Sequence, residues 1–134
     1  MILAVAGKPG GANRPFVRAL GYVDDMVPLY QAADFTILGS YYEPFGLVGP
    51  ESVLCGTRLI FDEQIGCLTA IEKDQVIGFS VWDGSSLSGA VEKAVRLFHS
   101  GRDEHRVPAG RTGLLYDPDP IRHAQELLAA TRAR

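Results

Sequence analysis

The sequence is poor in cysteine and has no long apolar run. Its 134 residues contain two cysteines, Cys55 and Cys67, which are too few for a disulfide framework or a zinc site, so we expect a reduced, cytoplasmic setting. No apolar stretch approaches the roughly 20 residues of a membrane span, so no transmembrane segment is expected. The three histidines show no metal-ligand spacing, and no metal site is predicted; they are His99, His105 and His123.

An excess of charge of one sign is also missing. The 13 lysines and arginines and 16 aspartates and glutamates give a net charge of −3, and the basic residues form no run. Binding to nucleic acid or to an anionic membrane by bulk charge is therefore not expected. A hydrophobic content of 46% with 22% charged residues is typical of a folded globular domain. The chain is long enough to bury one core.

What the sequence does have is an alternation of short β-rich runs with amphipathic stretches. This alternation predicts an α/β fold with a mainly parallel sheet. The predicted strands are residues 2–6, 18–23, 35–38, 58–61 and 76–82, and we expect the first and third to be buried. Less regular patterns predict a polar loop over 100–111, a strand and turn over 113–118, and a helix from about Ile121.

Three further helices are predicted from apolar periodicity and end signals. The first is capped by Asp24 or Asp25, and the second runs from Leu47 or Pro50 to Leu54, where Gly56 stops it. The third covers residues 85–99. The apolar face of the first helix is formed by Met26, Leu29, Tyr30 and Ala33. The inward residues predicted for the third are Leu87, Val91, Ala94, Val95 and Phe98.

Residues 35–56 form a predicted strand, glycine-containing loop and helix, and they carry the candidate site. In an open parallel sheet, ligands bind outside the carboxyl ends of the strands. Backbone N–H groups at the start of the helix can hold a phosphate or diphosphate, and Gly46 allows close approach to the backbone. Those N–H groups belong to Phe45, Gly46 and Leu47. Walker-type and dinucleotide-binding glycine patterns are absent.

Two carboxylates eight residues apart, Glu43 and Glu51, belong to the same unit. One turn inside the helix, Glu51 can accept hydrogen bonds from the neighbouring hydroxyls of a ribose. Glu43, in the loop, would face whatever lies beyond the phosphates. Alternatively, Glu51 only favours the helix N-terminus electrostatically and Glu43 is solvated. The spacing of the two residues does not choose between these interpretations.

Several segments, in this order and spacing, resemble a known family. They are GYVDD at 21–25, LYQAAD at 29–34, SYYEPFGL at 40–47, Glu51, and GT at 56–57. Over roughly residues 1–98 the chain resembles the C-terminal, donor-binding half of retaining, nucleotide-sugar-dependent glycosyltransferases of GT-B fold, which include glycogen and starch synthases. The resemblance implies a Rossmann-like open parallel sheet with helices on both faces, which is one half of a GT-B fold.

The resemblance also implies roles for individual residues. Glu43 and Glu51 match the family's E-x7-E motif, so Glu51 would hold the donor ribose and the catalytic Glu43 would contact the transferred sugar near the reacting carbon. Phe45, Gly46 and Leu47 would supply backbone donors to the sugar and diphosphate. Tyr22 and Val23 would border the base, and Gly66 would lie at the donor sugar. These residue numbers refer to the printed sequence.

By the same resemblance, the reaction moves a glycosyl unit from a nucleoside diphosphate sugar to a hydroxyl with retention of configuration. Fixed dipoles and cationic side chains would stabilise the leaving diphosphate, so neither a metal nor a cofactor is required. The form of residues 43–48, EPFGLV, favours ADP- or UDP-glucose as the donor. The acceptor is not indicated.

The sequence departs from the family pattern at three points. Cys67 and Ala70 replace a glycine and an acidic residue, and we interpret Cys67 as a substitution near the sugar pocket rather than a nucleophile. By the resemblance, we also expect the chain to begin one strand after the start of the family's domain and to lack the N-terminal acceptor domain. We therefore expect residues 1–134 to be a single, truncated nucleotide-sugar-binding domain that is inactive without an acceptor domain from the same gene or another chain. The alternative is a non-catalytic nucleotide or nucleotide-sugar binding module.

Overall fold

The computed structural model describes residues 1–8, 14–101, 105–108, 111–119, 121–122, 125 and 129. The strands within these ranges are β1 (Leu3–Ala6), β2 (Val17–Gly21), β3 (Phe35–Leu38), β4 (Arg58–Asp62) and β5 (Val76–Phe79). The α-helices are α1 (Val27–Ala32), α2 (Val48–Leu54) and α3 (Gly84–Ser100). Between β4 and β5 lie two short 3₁₀ helices, at Gly66–Ala70 and Lys73–Gln75.

All strand pairs among these elements are parallel, but they form two separate sheets. The larger sheet has the order β3-β4-β5, and the smaller pairs β1 with β2. In the larger sheet Phe35 lies opposite Arg58, and Leu59 lies opposite Val76. Because parallel strands need a crossover connection, α2 joins β3 to β4 and the 3₁₀ segment joins β4 to β5. The predicted Rossmann-like α/β fold is confirmed.

The core lies on both faces of the larger sheet, because β4 is its central strand. Leu59 and Phe61 point to one face, where they pack with Val53 of α2. Ile60 points to the other face, where it packs with Ala90 and Ala94 of α3. A strand covered on both faces is expected to be continuously apolar, as the Leu-Ile-Phe run of β4 is. The prediction of helices on both faces is confirmed for this sheet.

The prediction that the first strand is fully buried is wrong. All four residues of β1 are exposed, and Leu3 and Val5 each retain about 40% of their accessible surface (41% and 39%). β1 pairs only with β2 among the described strands, and the two-stranded sheet contributes no residue to either core cluster. An apolar run indicates a strand that can be buried, but the elements that cover it determine whether it is.

β3 is also less buried than predicted, because it is an edge strand of its sheet. Phe35, Thr36 and Leu38 are half-buried and Ile37 is 40% exposed. Its position directly after α1 and before the glycine-containing loop nevertheless agrees with the sequence. The candidate loop therefore begins at the end of the sheet where the carboxyl ends of β3 and its parallel neighbour β4 lie together.

The inward face predicted for α3 is only partly right. Ala94 is buried, as predicted, and Val91 is half-buried, whereas Leu87, Val95 and Phe98 stay exposed. Ala90, which the periodicity did not single out, is buried instead. A three-stranded sheet presents a narrow surface, and small alanine side chains let the helix approach it closely, so the buried stripe is narrower than the apolar stripe.

Local end signals were predicted more accurately than burial. Asp25 Oδ1 accepts a hydrogen bond of 3.1 Å from the backbone N–H of Val27, so Asp25 rather than Asp24 stabilises the start of α1. Asp83 Oδ1 does the same for α3 by accepting from the N–H of Ser85 at 2.9 Å. α2 ends at Leu54, as predicted, and Cys55 and then Gly56 follow, the latter with a φ of +88°. A positive φ is a conformation that glycine adopts without strain.

Strand ends and the tail differ from the predictions. β2 and β5 each end before their predicted limits, at Gly21 and Phe79. The predicted strand at 113–118 is reduced to an isolated bridge between Leu114 and Ile71. His105 and Val107, in the predicted polar loop, are buried. The described residues of the last predicted helix, at 121, 122, 125 and 129, are helical; the other residues of that predicted helix lie outside the described residues.

Candidate functional site

The loop after β3 and the first turns of α2 carry both glutamates, as predicted. Glu43 lies in the loop, half-buried, and Glu51 is the fourth residue of α2. The N–H groups of Phe45, Gly46 and Leu47 make no hydrogen bond to any of the residues that the structure describes. The unit thus combines two carboxylates with a run of available backbone donors, an arrangement that suits an anionic ligand bearing hydroxyl groups.

The segment after β4 holds this loop in place. The backbone N–H of Cys67 donates to the carbonyl oxygen of Phe45 at 2.7 Å, and the N–H of Gly66 donates to that of Glu43 at 3.4 Å. These bonds tie the 3₁₀ helix at Gly66–Ala70 to the glutamate loop. The connection between β4 and β5 therefore packs against the loop and fixes its backbone. The N–H groups of residues 45–47 do not take part in these hydrogen bonds.

Two glycines make this close packing possible. Gly46 has a φ of +81°, and a Cβ built on it would lie 2.9 Å from Ile65 Cγ2 and 3.1 Å from Glu43 Cγ. A Cβ on Gly66 would lie 1.9 Å from the carbonyl oxygen of Pro44. The sequence predicted Gly46 as a point where a ligand approaches the backbone. The structure shows a further role for both residues, because each allows the loop to lie against its support.

A tyrosine that sequence analysis assigned to the apolar face of α1 contacts Glu51. The hydroxyl of Tyr30 donates a hydrogen bond of 3.0 Å to Glu51 Oε2, and only 4% of the Tyr30 surface is exposed. Burial raises the pKa of the Tyr30 hydroxyl, and the hydrogen bond to Glu51 raises it further, so the hydroxyl remains a donor at neutral pH. The available signal was general: a buried tyrosine hydroxyl usually finds a partner.

Polar side chains beneath α2 fix its position against the sheet. A hydrogen bond of 2.7 Å joins Ser52 Oγ and Thr36 Oγ1, and Ser52 Oγ also donates to the carbonyl oxygen of Thr57 at 3.2 Å. Thr57 Oγ1 donates to the carbonyl oxygen of Tyr30 at 2.6 Å. Ser52 and Thr57 are fully buried. The network connects α1, β3, α2 and the start of β4. These hydrogen bonds therefore fix the position of the helix that carries Glu51.

The remaining predicted donor-binding residues lie on an open surface. Tyr22 is 79% exposed, Leu47 66% and Phe45 42%. Tyr22 and half-buried Val23 follow β2, which belongs to the other sheet. No hydrogen bond or ring contact among the described residues joins them to the glutamate loop. The structure therefore brings together Glu43, Glu51 and the backbone of 45–47 with Gly66, but it shows no such contact for Tyr22 and Val23.

Comparison with known proteins identifies the family. The family model described as "Glycosyl transferases group 1" matches residues 13–118, a range that contains the whole loop and helix just described. The chain belongs to this glycosyltransferase family. Within the family, its α/β architecture is consistent with half of a GT-B fold.

Similar proteins carry glycosyl-transfer names. A probable transglycosylase of Burkholderia thailandensis is 44% identical over 131 residues, which cover 96% of this chain and 36% of that protein. A D-inositol 3-phosphate glycosyltransferase of Thermomonospora curvata is 31% identical over 146 residues, covering 95% and 31%. A glycogen synthase of Mycobacterium tuberculosis is 32% identical over 122 residues, covering 86% and 29%. The chain spans about a third of the length of these relatives, and their names do not favour a non-catalytic module.

The described residues were also searched for a metal centre and for a membrane-spanning helix. The described part of the chain has no group of three or more His, Cys, Asp or Glu side chains that would hold a metal ion. Among the same residues, no helix has the length and apolarity needed to cross a membrane.

A cavity of about 270 Å³ lies beside the glutamate loop, on the side of α3. Tyr41 is one of its lining residues, and the Tyr41 ring lies 4.9 Å from that of Trp82. The other lining residues are Ile37, Gly39, Phe79, Ser80, Val81, Asp83, Gly84 and Leu87. Neither Glu43 nor Glu51 lines it, so this cavity and the candidate site are different features.

Cys67 is a buried packing residue next to the glutamate loop. Its side chain is fully buried, and its Sγ would lie 2.6 Å from a Cβ added to Gly49 of α2. Burial raises the pKa of the Cys67 thiol to about 11; its own backbone lowers it, and the nearby Glu43 raises it. The thiolate is the reactive form, so the structure agrees with the interpretation of Cys67 as a non-nucleophile.

This burial predicts unequal reactivity of the two free cysteines. At pH 8, iodoacetamide should alkylate the half-buried Cys55 at least about 100-fold faster than Cys67, because access and thiolate fraction both limit Cys67. Mass spectrometry of peptides from a time course measures the two rates. In urea the two rates should become similar. Equal rates in the folded chain would show that Cys67 is not buried beneath the loop.

Proposed function

We propose that this chain is the donor-binding part of a glycosyltransferase that moves a glycosyl unit from a nucleoside diphosphate sugar to a hydroxyl acceptor, with retention of configuration. The main support is one observation: Glu43 and Glu51 flank a loop whose N–H groups at 45–47 make no hydrogen bond to the described residues. The loop lies at the carboxyl end of β3, where α/β sheets bind ligands. Family membership supports the transfer of a glycosyl group.

The diphosphate of the donor would bind the backbone N–H groups of Phe45, Gly46 and Leu47. These donors are fixed by the hydrogen bonds that hold the loop to Gly66 and Cys67, so little reorganisation accompanies charge development on the leaving diphosphate. Preorganised donors of this kind stabilise a developing anion without a metal ion. We propose no cofactor beyond the donor substrate itself.

The two carboxylates would bind different parts of the donor. Glu51, on α2, would accept hydrogen bonds from the ribose hydroxyls, and each charge-assisted bond contributes about 1.5–3 kcal/mol. Glu43, earlier in the loop, would contact the transferred sugar near the reacting carbon. Tyr22 and Val23 would border the base, and Gly66 would lie at the sugar. ADP- or UDP-glucose remains the favoured donor, and the relative named glycogen synthase supports a glucosyl unit.

A second domain would complete the site. The chain spans about a third of its relatives' length, and the donor-side residues Tyr22, Phe45 and Leu47 are exposed. We propose that an acceptor-binding domain, from the same gene or another chain, closes over this surface and supplies the remaining contacts. The setting we propose is cytoplasmic, which the free thiols of Cys55 and Cys67 support.

Calorimetric titration of the purified chain with UDP, ADP and GDP tests the proposal. At least one nucleoside diphosphate should bind, and weakly, if a second domain supplies the remaining contacts as proposed. The same sample should neither hydrolyse the matching nucleotide sugar nor transfer its sugar to added acceptors. Absence of binding by all three nucleotides would contradict the donor site. Turnover by the chain alone would contradict the need for a second domain.

A further inference from the structure

The side chain of Glu51 lies on an exposed turn of α2, yet one of its oxygens is held by a buried group. Glu51 as a residue is exposed, whereas Tyr30, which donates to Glu51 Oε2 at 3.0 Å, is 4% exposed. A glutamate on a helix surface normally samples several rotamers, because its three side-chain torsions are free. Here the hydroxyl of a fixed aromatic ring selects the rotamers that keep Oε2 within its reach.

The tyrosine is itself fixed by contacts on its backbone. Its carbonyl oxygen accepts from Thr57 Oγ1 at 2.6 Å. Arg106 Nη1 donates to Thr57 Oγ1 at 3.2 Å and to the carbonyl oxygen of Gln31 at 3.2 Å. The start of β4, the end of α1 and the segment around Arg106 thus converge on the residue that holds Glu51. The chain of contacts ends at a carboxylate that still has Oε1 and a second lone pair on Oε2 to offer.

We propose that Tyr30 is a positioning residue that holds Glu51 in the conformation in which its carboxylate accepts the ribose hydroxyls of the donor. This inference rests on the proposed function, and it assigns to a residue of the hydrophobic core a part in ligand selectivity. The chemistry is that of preorganisation: a carboxylate already held by a rigid donor loses less conformational freedom when the ligand binds. The neutral tyrosine adds no charge that would compete with the donor.

The test compares a ribonucleotide with its 2′,3′-dideoxy form, using the nucleoside diphosphate among UDP, ADP and GDP that binds the wild-type chain most tightly. Wild type should prefer the ribonucleotide by at least about 10-fold, since the dideoxy form lacks both hydroxyls. Tyr30→Phe should reduce this preference by about 3-fold or more, with little change in affinity for the dideoxy form. Glu51→Gln should also reduce it, because the charge is removed.

A matched control is Tyr116→Phe. Tyr116 is 45% exposed and lies in the segment after Gly113, so removal of its hydroxyl should leave both affinities unchanged. If Tyr30 has only a structural role, Tyr30→Phe should lower stability or change the affinities for the ribonucleotide and the dideoxy form equally. The ratio of the two affinities should then stay at its wild-type value. If Tyr30→Phe keeps the wild-type ratio while Glu51→Gln loses it, the positioning role is overturned and the proposed function stands. If wild type itself does not discriminate, the ribose role of Glu51 and this inference both fail.

A measurement on wild type alone covers the case in which Tyr30→Phe does not fold. The ring resonances of Tyr30 should shift when the ribonucleotide is added, because its hydroxyl shares the carboxylate with the ribose. The dideoxy form should leave them nearly unchanged. Equal shifts with both ligands, or no shift with the ribonucleotide, would overturn the positioning role.

Discussion

Replacement of Gly66 by alanine is expected to lower the free energy of unfolding by about 2–4 kcal/mol, because overpacking at a rigid contact forces backbone shifts. The new Cβ would lie 1.9 Å from the carbonyl oxygen of Pro44. That oxygen belongs to the backbone and is not the flexible end of a side chain, so relief requires the glutamate loop to move away from the segment after β4. Urea denaturation followed by circular dichroism measures the loss.

Movement of the loop has a second consequence. The N–H of Gly66 donates to the carbonyl oxygen of Glu43, and the N–H of Cys67 donates to that of Phe45. Both bonds should weaken in Gly66→Ala, so nucleotide affinity should fall along with stability. Gly89→Ala is the matched control: a Cβ at this position in α3 meets nothing within 4 Å. It should be neutral or stabilise by up to about 1 kcal/mol. Equal stability of Gly66→Ala and wild type would contradict the loop packing described above.

Replacement of Glu51 by alanine is expected to weaken nucleoside diphosphate binding by about 10- to 100-fold. The lower figure corresponds to the loss of one charge-assisted hydrogen bond and the upper to the loss of two. The substitution also removes the acceptor of the buried Tyr30 hydroxyl, which should cost about 1–3 kcal/mol of stability. Calorimetric titration and urea denaturation measure the two effects separately.

Two control variants show whether the effects of Glu51→Ala come from the lost charge, from the lost hydrogen bond to Tyr30, or from the loss of any surface carboxylate. Glu51→Gln keeps an oxygen that can accept from Tyr30, so it should recover most of the stability but only part of the affinity. Glu92→Ala removes an exposed carboxylate on α3 that pairs with Arg96 at 3.8 Å, and it should leave binding unchanged. Unchanged affinity in Glu51→Ala would contradict the assignment of the ribose to this residue.

Local sequence signals predicted the elements well, because periodicity and end residues act within one segment. β4 is recognisable from its central Leu-Ile-Phe run, and the ends of α2 (Val48–Leu54) from the neighbouring Leu47 and Gly56. Burial was predicted less well, since it depends on distant elements. The apolar β1 is exposed, and among the described residues its sheet contributes nothing to either core cluster. The order of strands that leaves β3 at an edge is not encoded in β3 itself.

The same distinction holds for the candidate site. The order of strand, glycine loop and helix, together with the family resemblance, placed Glu43, Glu51 and the N–H groups of 45–47 on one unit. The structure agrees with that placement, whereas their roles stay predictions. The contact of Tyr30 with Glu51 joins residues 21 positions apart, and no local pattern specifies such a partner. The closeness of Gly66 to Pro44 was unpredictable for the same reason.

The central claim is that nucleoside diphosphate binds at the loop that joins β3 to α2. Heteronuclear NMR of the ¹⁵N-labelled chain, titrated with UDP, ADP and GDP, tests it most directly. The largest amide shifts should come from Phe45, Gly46 and Leu47, whose N–H groups make no hydrogen bond within the described chain. Smaller shifts should follow at Glu51. Shifts confined to the cavity beside α3, around Ile37 and Leu87, or no shifts with any nucleotide, would contradict the account.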